Sequence, residues 1–354
     1  MIFFVILQLM TSESDLAQAT DLTQKLYGRT VTKISTLPSH VDQNFLMVDK
    51  EDTKYILKII NSEDSKNDTL LELQTLALSF VHQNGIPAQK ASPNIAGQLM
   101  SMEEIDCGRG AQTFCMRLLN YMPGKTIAES ELTMQDLYHV GRTAATLNKT
   151  LVVSPNLDVL QREDYIWCLD NVAVMEGNLS VLDGDPIQEV VEAVIGQFKS
   201  CVVPVLSFTG VIHRDLNEGN IVVTPVDSGR HEVSGILDFA LIMNGCCVFE
   251  VAITMAYMML DKPSRVDAVG AVLAGWESLM LLSEDERNSL FLLALGRLCQ
   301  SLVNGLNQAK INPDHKYLLT TARGRIPLIL NLWERGKQEV ERKWFSVASP
   351  FSVN

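Results

Sequence analysis

The sequence predicts an α+β protein of two lobes, a small β-rich N-terminal lobe and a larger helical C-terminal lobe. Three observations carry this. The first 119 residues hold short runs rich in β-branched and aromatic residues around one helical stretch. After Gly124 apolar residues recur at helical spacing over long stretches. One short hairpin signal interrupts them, and a polar loop with chemically suggestive spacing precedes it.

In chain order, Thr30 to Ser35, Gln43 to Val48 and Lys54 to Ile60 read as strands, the last two joined by the polar turn Asp49-Lys50-Glu51-Asp52. A helix from about Asn67 to Gln83 follows, because Leu70, Leu71, Leu73, Leu76, Ala77 and Phe80 fall near a 3.6 period. Asn84-Gly85 and Pro87 stop it. Gly97 to Met102 and Thr113 to Leu119 read as a second pair of strands, and Asn120 to Gly124 as a turn-rich hinge. Beyond it, Thr133 to Leu151, Pro186 to Leu206, Val248 to Leu260, Glu284 to Leu306 and Arg325 to Phe345 carry helical periodicity. The embedded hairpin runs from Ile221 to Thr224, turns at Asp227-Ser228-Gly229 and returns from Val233 to Leu237. The expected organisation is an extension at 1–14, an N-lobe at 15–119, a hinge at 120–124 and a C-lobe at 125–354. A ligand is expected in the cleft between the lobes.

With 42 acidic and 29 basic residues the chain carries a formal charge of −13. A general nucleic-acid binder needs a basic footprint, so that class is excluded, and stable association with anionic membranes is disfavoured. The seven cysteines are odd in number and lack CxxC spacing, which argues against a disulfide framework or zinc site. Reduced thiols in a cytoplasmic protein are the expectation. Met1 to Met10 is almost wholly apolar, yet it is half the length of a membrane span, about 20 residues, and no basic residue precedes the apolar run. No heptad seam marks an oligomer surface.

The strongest chemical signal is His213-Arg214-Asp215-Leu216-Asn217-Glu218-Gly219-Asn220. It matches H-R-D-x-x-x-x-N, the catalytic loop of phosphoryl-transfer enzymes. In that loop an Asp accepts the proton of the acceptor hydroxyl, and an Asn five residues on reaches a metal on the nucleotide phosphates. Asp215 is therefore the candidate base and Asn220 a candidate metal ligand. Asp238-Phe239 ends the second hairpin strand 18 residues after Asn220, where the second metal-binding Asp belongs. Oxygen ligands of this kind suit Mg²⁺. Lys58 interrupts the apolar strand Tyr55-Ile56-Leu57-Lys58-Ile59, which calls for a charged partner. Glu72, in the next helix, is the expected one. No glycine-rich phosphate loop is present; backbone N–H groups, Ser39 and Asn44 are the candidates to cover phosphates.

On these residues the chain resembles the aminoglycoside phosphotransferase and choline kinase group of small-molecule kinases, from about Asp15 to Val347. The resemblance implies a protein-kinase-like fold, with Lys58 on the nucleotide phosphates and backbone groups near Tyr121 and Met122 facing the base. Further similar runs lie outside the core, among them Asp42-Gln43-Asn44-Phe45, Val248-Phe249-Glu250-Val251 and Cys299-Gln300-Ser301-Leu302. They point to one member of the group and imply transfer from GTP to the side-chain hydroxyl of 5-hydroxy-L-lysine, with Mg²⁺. The alternatives are ATP as donor, another acceptor (homoserine, choline, ethanolamine or an aminoglycoside), or a nucleotide-binding pseudokinase. For an acceptor with two ammonium groups and a carboxylate, Asp164, Glu250 and Glu277 are candidate ammonium contacts and Arg297 the candidate carboxylate contact. Tyr165 and Trp167 read as an aromatic wall or as core.

The chain departs from the group at three positions. Arg214 stands where a Gly is usual, Ala240 replaces the Gly after Asp-Phe, and Leu241 replaces an Asp usual in the one member that the outer runs point to, an acid that other kinases of the fold lack. If position 240 requires positive φ, Ala there costs roughly 1 kcal/mol.

Overall fold

The computed structural model describes residues 13–39, 42–106, 110–154, 165–202, 210–226, 229–260, 262, 264–311 and 316–353. The apolar segment Met1 to Met10, Cys107, the turn residues Asp227 and Ser228, and Asp164 lie outside the described residues. The chain divides into two compact units, 1–123 and 124–354.

The first unit runs α1 (Glu13–Tyr27), β1 (Val31–Leu37), β2 (Gln43–Asp49), β3 (Lys54–Ile59), α2 (Asp68–Gln83), β4 (Ala91–Ser92), β5 (Ser101–Asp106) and β6 (Ala111–Asn120). The strands form one antiparallel sheet in the order β1-β2-β3-β6-β4, with β5 also on β6. Strand alternation sends Phe45, Met47, Leu57, Ile59, Phe114, Met116 and Leu118 into one core with Ala19, Leu26 and Tyr27 of α1. The opposite face carries Lys58 and Arg117, direct cross-strand partners between β3 and β6. On that side Arg117 donates to the Leu71 carbonyl (2.7 Å) and to Gln74 Oε1 (3.3 Å) of α2. Asn67 caps α2 by accepting from the Leu70 N–H.

Two expectations for this unit change. α1 is a helix where the sequence reading had none. The strand expected at Gly97 to Met102 starts later, at Ser101. Asn94 explains the shift: its side chain accepts from the N–H groups of Ala96 and Gln98, and Gly97 sits at φ +83°, so 94–98 is a turn.

The second unit runs β7 (Lys125–Thr126), α3 (Met134–Val152), α4 (Ile187–Gln197), β8 (Gly210–Ile212), β9 (Ile221–Pro225), β10 (His231–Ile236), β11 (Met243–Gly245), α5 (Cys247–Met258), α6 (Arg265–Ala268), α7 (Gly270–Glu277), α8 (Glu284–Ile311), α9 (Lys316–Arg323) and α10 (Ile326–Ala348). Leu169–Leu182 forms 3₁₀ turns. The expected helix from Pro186 leaves α geometry after Gln197 and continues as a π turn to Val202. The expected C-terminal helix is interrupted at Gly336, φ +75°. Capping boxes fix two helix starts, Thr133 with Asp136 for α3 and Ser283 with Glu286 for α8. α3 and α7 approach closely because Gly141 and Gly275 present no side chain; a Cβ at either would collide with a carbonyl of the other helix. α8 is apolar and long enough to cross a membrane, but its apolar window is wholly buried inside the protein.

The catalytic-loop sequence connects two small sheets. β8 pairs with β11, and β9 pairs with β10 and β7. The segment 213–220 is therefore anchored at both ends by strand pairing.

Candidate active site

Residues 213–220 form a loop tied by its own side chains. Asn217 accepts from the N–H groups of Gly219 (2.8 Å) and Asn220 (3.0 Å) and donates to Asp215 Oδ2 (3.0 Å). Asn220 donates through Nδ2 to the Asp215 carbonyl (2.9 Å) and to Oδ2 (3.0 Å). This use of Nδ2 leaves Oδ1 for another partner. His213 is fully buried, edge-on to Phe239 at 4.7 Å. Its ring takes the tautomer that donates from Nε2 to the Leu237 carbonyl (3.0 Å) and accepts the Asp215 N–H at Nδ1 (3.3 Å).

Arg214 sits at φ +67°, in the left-handed region that favours Gly. Two groups hold this backbone. Glu250 of α5, 0% exposed, accepts the N–H of His213 (2.6 Å) and of Arg214 (3.0 Å) on Oε2. The Arg214 guanidinium pairs with Asp170 (2.6 Å) and donates to the Asn244 carbonyl. It lies against Gly245, where a Cβ would come within 2.8 Å of the Arg214 Cζ. Burial pushes the Glu250 carboxyl up to about 7, although both N–H donors lower it. Ala240, by contrast, has no positive φ. The left-handed residue is Asp238 (φ +57°), whose carboxylate accepts the Ala240 N–H at 3.3 Å. The strain anticipated at Ala240 is therefore absent.

Asp215 is mostly buried, its side chain 19% exposed, and Arg297 Nη2 donates to its Oδ1 at 2.8 Å. Burial pushes its carboxyl up to about 6; Arg297 lowers it and the negative Asp238 raises it. Asn220 and Asp238 supply an amide oxygen and a carboxylate. That set suits a hard divalent cation whose shell is completed by phosphate oxygens and water. Among the described residues no cluster of three or more His, Cys, Asp or Glu offers a protein-only metal cage.

The other candidates fare differently. In the first unit Asn44 lies directly across from Lys58, and Ser39 follows β1 half-buried. Tyr121 and Met122 follow β6, with Lys54 Nζ 5.2 Å from the Tyr121 ring centre. The Lys58–Glu72 pair is not formed. Asp42 Oδ2 lies 3.0 Å from Lys58 Nζ, and Glu72 is exposed. Asp42 is itself fixed by the Asn61 N–H (3.0 Å) and side-chain amide (3.1 Å). In the second unit, Glu250 is no ammonium contact, since it is sealed in the core behind the catalytic loop. Glu277 is gripped by both arms of Arg287, at 2.7 and 2.5 Å. Arg297 is 1% exposed and bonded to Asp215, so it is not presented to an acceptor carboxylate. Tyr165 is buried, while the Trp167 ring centre lies 5.6 Å from the Arg297 guanidinium. Sequence reasoning missed Asp42, Asp170 and Asn217; Asp42 and Asn217 both stood inside runs already singled out.

The fold, the catalytic loop and the Asp238 turn define a phosphotransferase, and residues 33–284 match the model of the phosphotransferase enzyme family (APH). The chain belongs to that family and is a small-molecule kinase acting on an alcohol group. It is 44% identical over 340 residues to hydroxylysine kinase of Danio rerio, covering 95% of this chain and 96% of the relative. Among solved structures it is similar to a microcompartment-associated aminopropanol kinase, with TM-score 0.69 and 16% identity over 90% of this chain and 97% of that one. It is also similar to an amicoumacin kinase in complex with AMP-PNP, Ca²⁺ and Ami, with TM-score 0.64 and 15% identity over 92% and 93%. These two likenesses concern the fold.

Proposed function

We propose that this enzyme transfers the γ-phosphate of GTP to the side-chain hydroxyl of 5-hydroxy-L-lysine, giving 5-phosphohydroxy-L-lysine and GDP. The observation that carries the proposal is 44% identity, along nearly the whole of both chains, to a hydroxylysine kinase. Asp215 accepts the proton of the acceptor hydroxyl as its oxygen attacks the γ-phosphorus. Asn217 and Asn220 hold Oδ2 of that carboxylate, so little reorganisation is needed during transfer. Lys58 contacts the nucleotide phosphates, and Asn220 Oδ1 with Asp238 would hold Mg²⁺. When bound, that ion neutralises charge on the phosphates. Five of the six described cysteines are buried and all six are free thiols, which supports a cytoplasmic setting.

The test is an acceptor panel (5-hydroxylysine, homoserine, choline, ethanolamine and an aminoglycoside) run with GTP and with ATP. Phosphate should appear on 5-hydroxylysine with GTP, and Asp215→Asn should lower kcat at least about 1,000-fold with the fold retained. Preference for another acceptor, or an active Asp215→Asn enzyme, overturns the reading.

A further inference from the structure

We infer that Arg297 is a positioning residue for the catalytic base: from the face of α8 it locks the Asp215 carboxylate in one rotation and leaves a single lone pair on Oδ1 for the acceptor hydroxyl. The inference rests on the reading of Asp215 as that base.

Arg297 spends its donors entirely inside the protein. Nε donates to the Tyr257 hydroxyl (3.1 Å), and Nη1 to the Trp167 carbonyl (2.7 Å) and Gln300 Oε1 (3.1 Å). Nη2 donates to Asp215 Oδ1 (2.8 Å). The rings of Tyr257 and Trp167 lie 5.4 and 5.6 Å from its Cζ, close enough for cation–π attraction. A buried guanidinium is tolerated only when paired and hydrogen-bonded, and this one is paired with Asp215 and bonded through each of its three nitrogens.

Its position is fixed by more than its own contacts. Arg297, Gln300 and Asn304 stand three and four residues apart, on one face of α8. Each donates to a successive stretch of one segment: Asn304 to the Ile166 carbonyl (2.7 Å), Arg297 to that of Trp167 and Gln300 to that of Cys168 (2.8 Å). This polar row clamps 166–168 along the helix, and the clamp sets the height at which Nη2 meets Asp215.

A carboxylate offers about four lone-pair positions. Among the described residues Arg297 occupies one on Oδ1, and Asn217 and Asn220 occupy Oδ2. Rotation of the carboxylate would break all three bonds, and the remaining acceptor position lies beside the guanidinium. Removing Arg297 leaves only the two amide bonds on Oδ2 to oppose that rotation and touches neither substrate, so the loss should fall on kcat for every acceptor.

The experiment compares the full-length enzyme with Arg297→Gln, Arg297→Lys and Asp215→Asn. It uses GTP with either 5-hydroxylysine or 1,5-diaminopentan-2-ol, the same chain without its carboxylate. Nucleotide affinity and thermal unfolding monitor the fold. Arg297→Gln should lower kcat about 100-fold for both acceptors, with KM and nucleotide affinity within threefold of wild type. Arg297→Lys, which keeps the charge but not the fork, should recover part of that loss and settle about tenfold below wild type. Wild-type kcat in a folded Arg297→Lys or Arg297→Gln enzyme overturns the inference. So does a loss that appears only as a weaker KM when hydroxylysine is the acceptor, which would make Arg297 a carboxylate contact. If Arg297→Gln does not fold, the Lys variant decides. An inactive Asp215→Asn enzyme beside a fully active Arg297→Gln one refutes this inference alone. An active Asp215→Asn enzyme refutes the function on which it rests.

Discussion

His213 is held neutral by its surroundings: one ring nitrogen donates to the Leu237 carbonyl and the other receives the Asp215 N–H, so a second ring proton would have no acceptor. Burial depresses its pKa from 6.5 to about 4, against the raising effects of Asp238 and the Leu237 bond. A base whose pKa is lower folded than unfolded stabilises the fold fully above pH 6.5. That contribution is lost as pH falls through about 4, because the unfolded chain takes up the proton first. The full loss is about 3 kcal/mol, of which about 2.5 kcal/mol falls between pH 7 and pH 4.5. Urea unfolding at pH 7 and pH 4.5 should show it, and His213→Gln should flatten the difference by most of that amount; an unchanged pH dependence would remove His213 from the account. Arg214 shows the same logic in the backbone. Its left-handed conformation costs roughly 1–2 kcal/mol, and the Glu250 carboxylate offsets that by accepting two consecutive N–H groups.

At the scale of elements, the seven longer strands and most helices were legible because apolar periods of 2 and 3.6 survive in their sequences, whereas β4, β7, β8 and β11, of two or three residues each, are too short to show a period. α1 was not, since its buried residues Ala19, Thr23, Leu26 and Tyr27 alternate with polar ones and form only a thin stripe. α7 was missed for the opposite reason: Gly270 to Trp276 is buried all round and shows no period. The catalytic loop could be read because its chemistry fixes its spacing. Charge partners could not, because spacing does not say which way an acid points. Lys58 and Arg117 stand side by side on one sheet face, a repulsive arrangement that needs two separate solutions. α2 answers Arg117 with a carbonyl and Gln74, and the β1–β2 connection answers Lys58 with Asp42. Asp42→Asn should therefore raise the KM for nucleotide about tenfold, whereas Glu72→Gln should leave it within twofold. Steady-state kinetics at saturating acceptor measure both, and an equal loss in Glu72→Gln would return the pairing to α2.

For the molecule as a whole, the formal charge of −13 would act in opposite senses on the two substrates proposed above. An acceptor with two ammonium groups and one carboxylate is a net cation and is drawn toward an acidic protein, while the nucleotide is repelled. A cation held by Asn220 and Asp238 would have to reverse that field locally for the phosphates. Added salt shortens the Debye length from about 30 Å at 0.01 M to about 10 Å at 0.1 M and so weakens the long-range field before it weakens contacts. Raising NaCl from about 10 to 150 mM at saturating Mg²⁺ should lower the kcat/KM measured with hydroxylysine about threefold. The value for GTP should stay level or rise, and kcat should stay constant. Because the carboxylate-free diaminol carries one more net positive charge, its kcat/KM should fall more steeply than that of hydroxylysine. Salt dependences of equal size and sign for acceptor and nucleotide would show that the overall charge plays no part in capture, leaving acceptor recognition to short-range contacts alone.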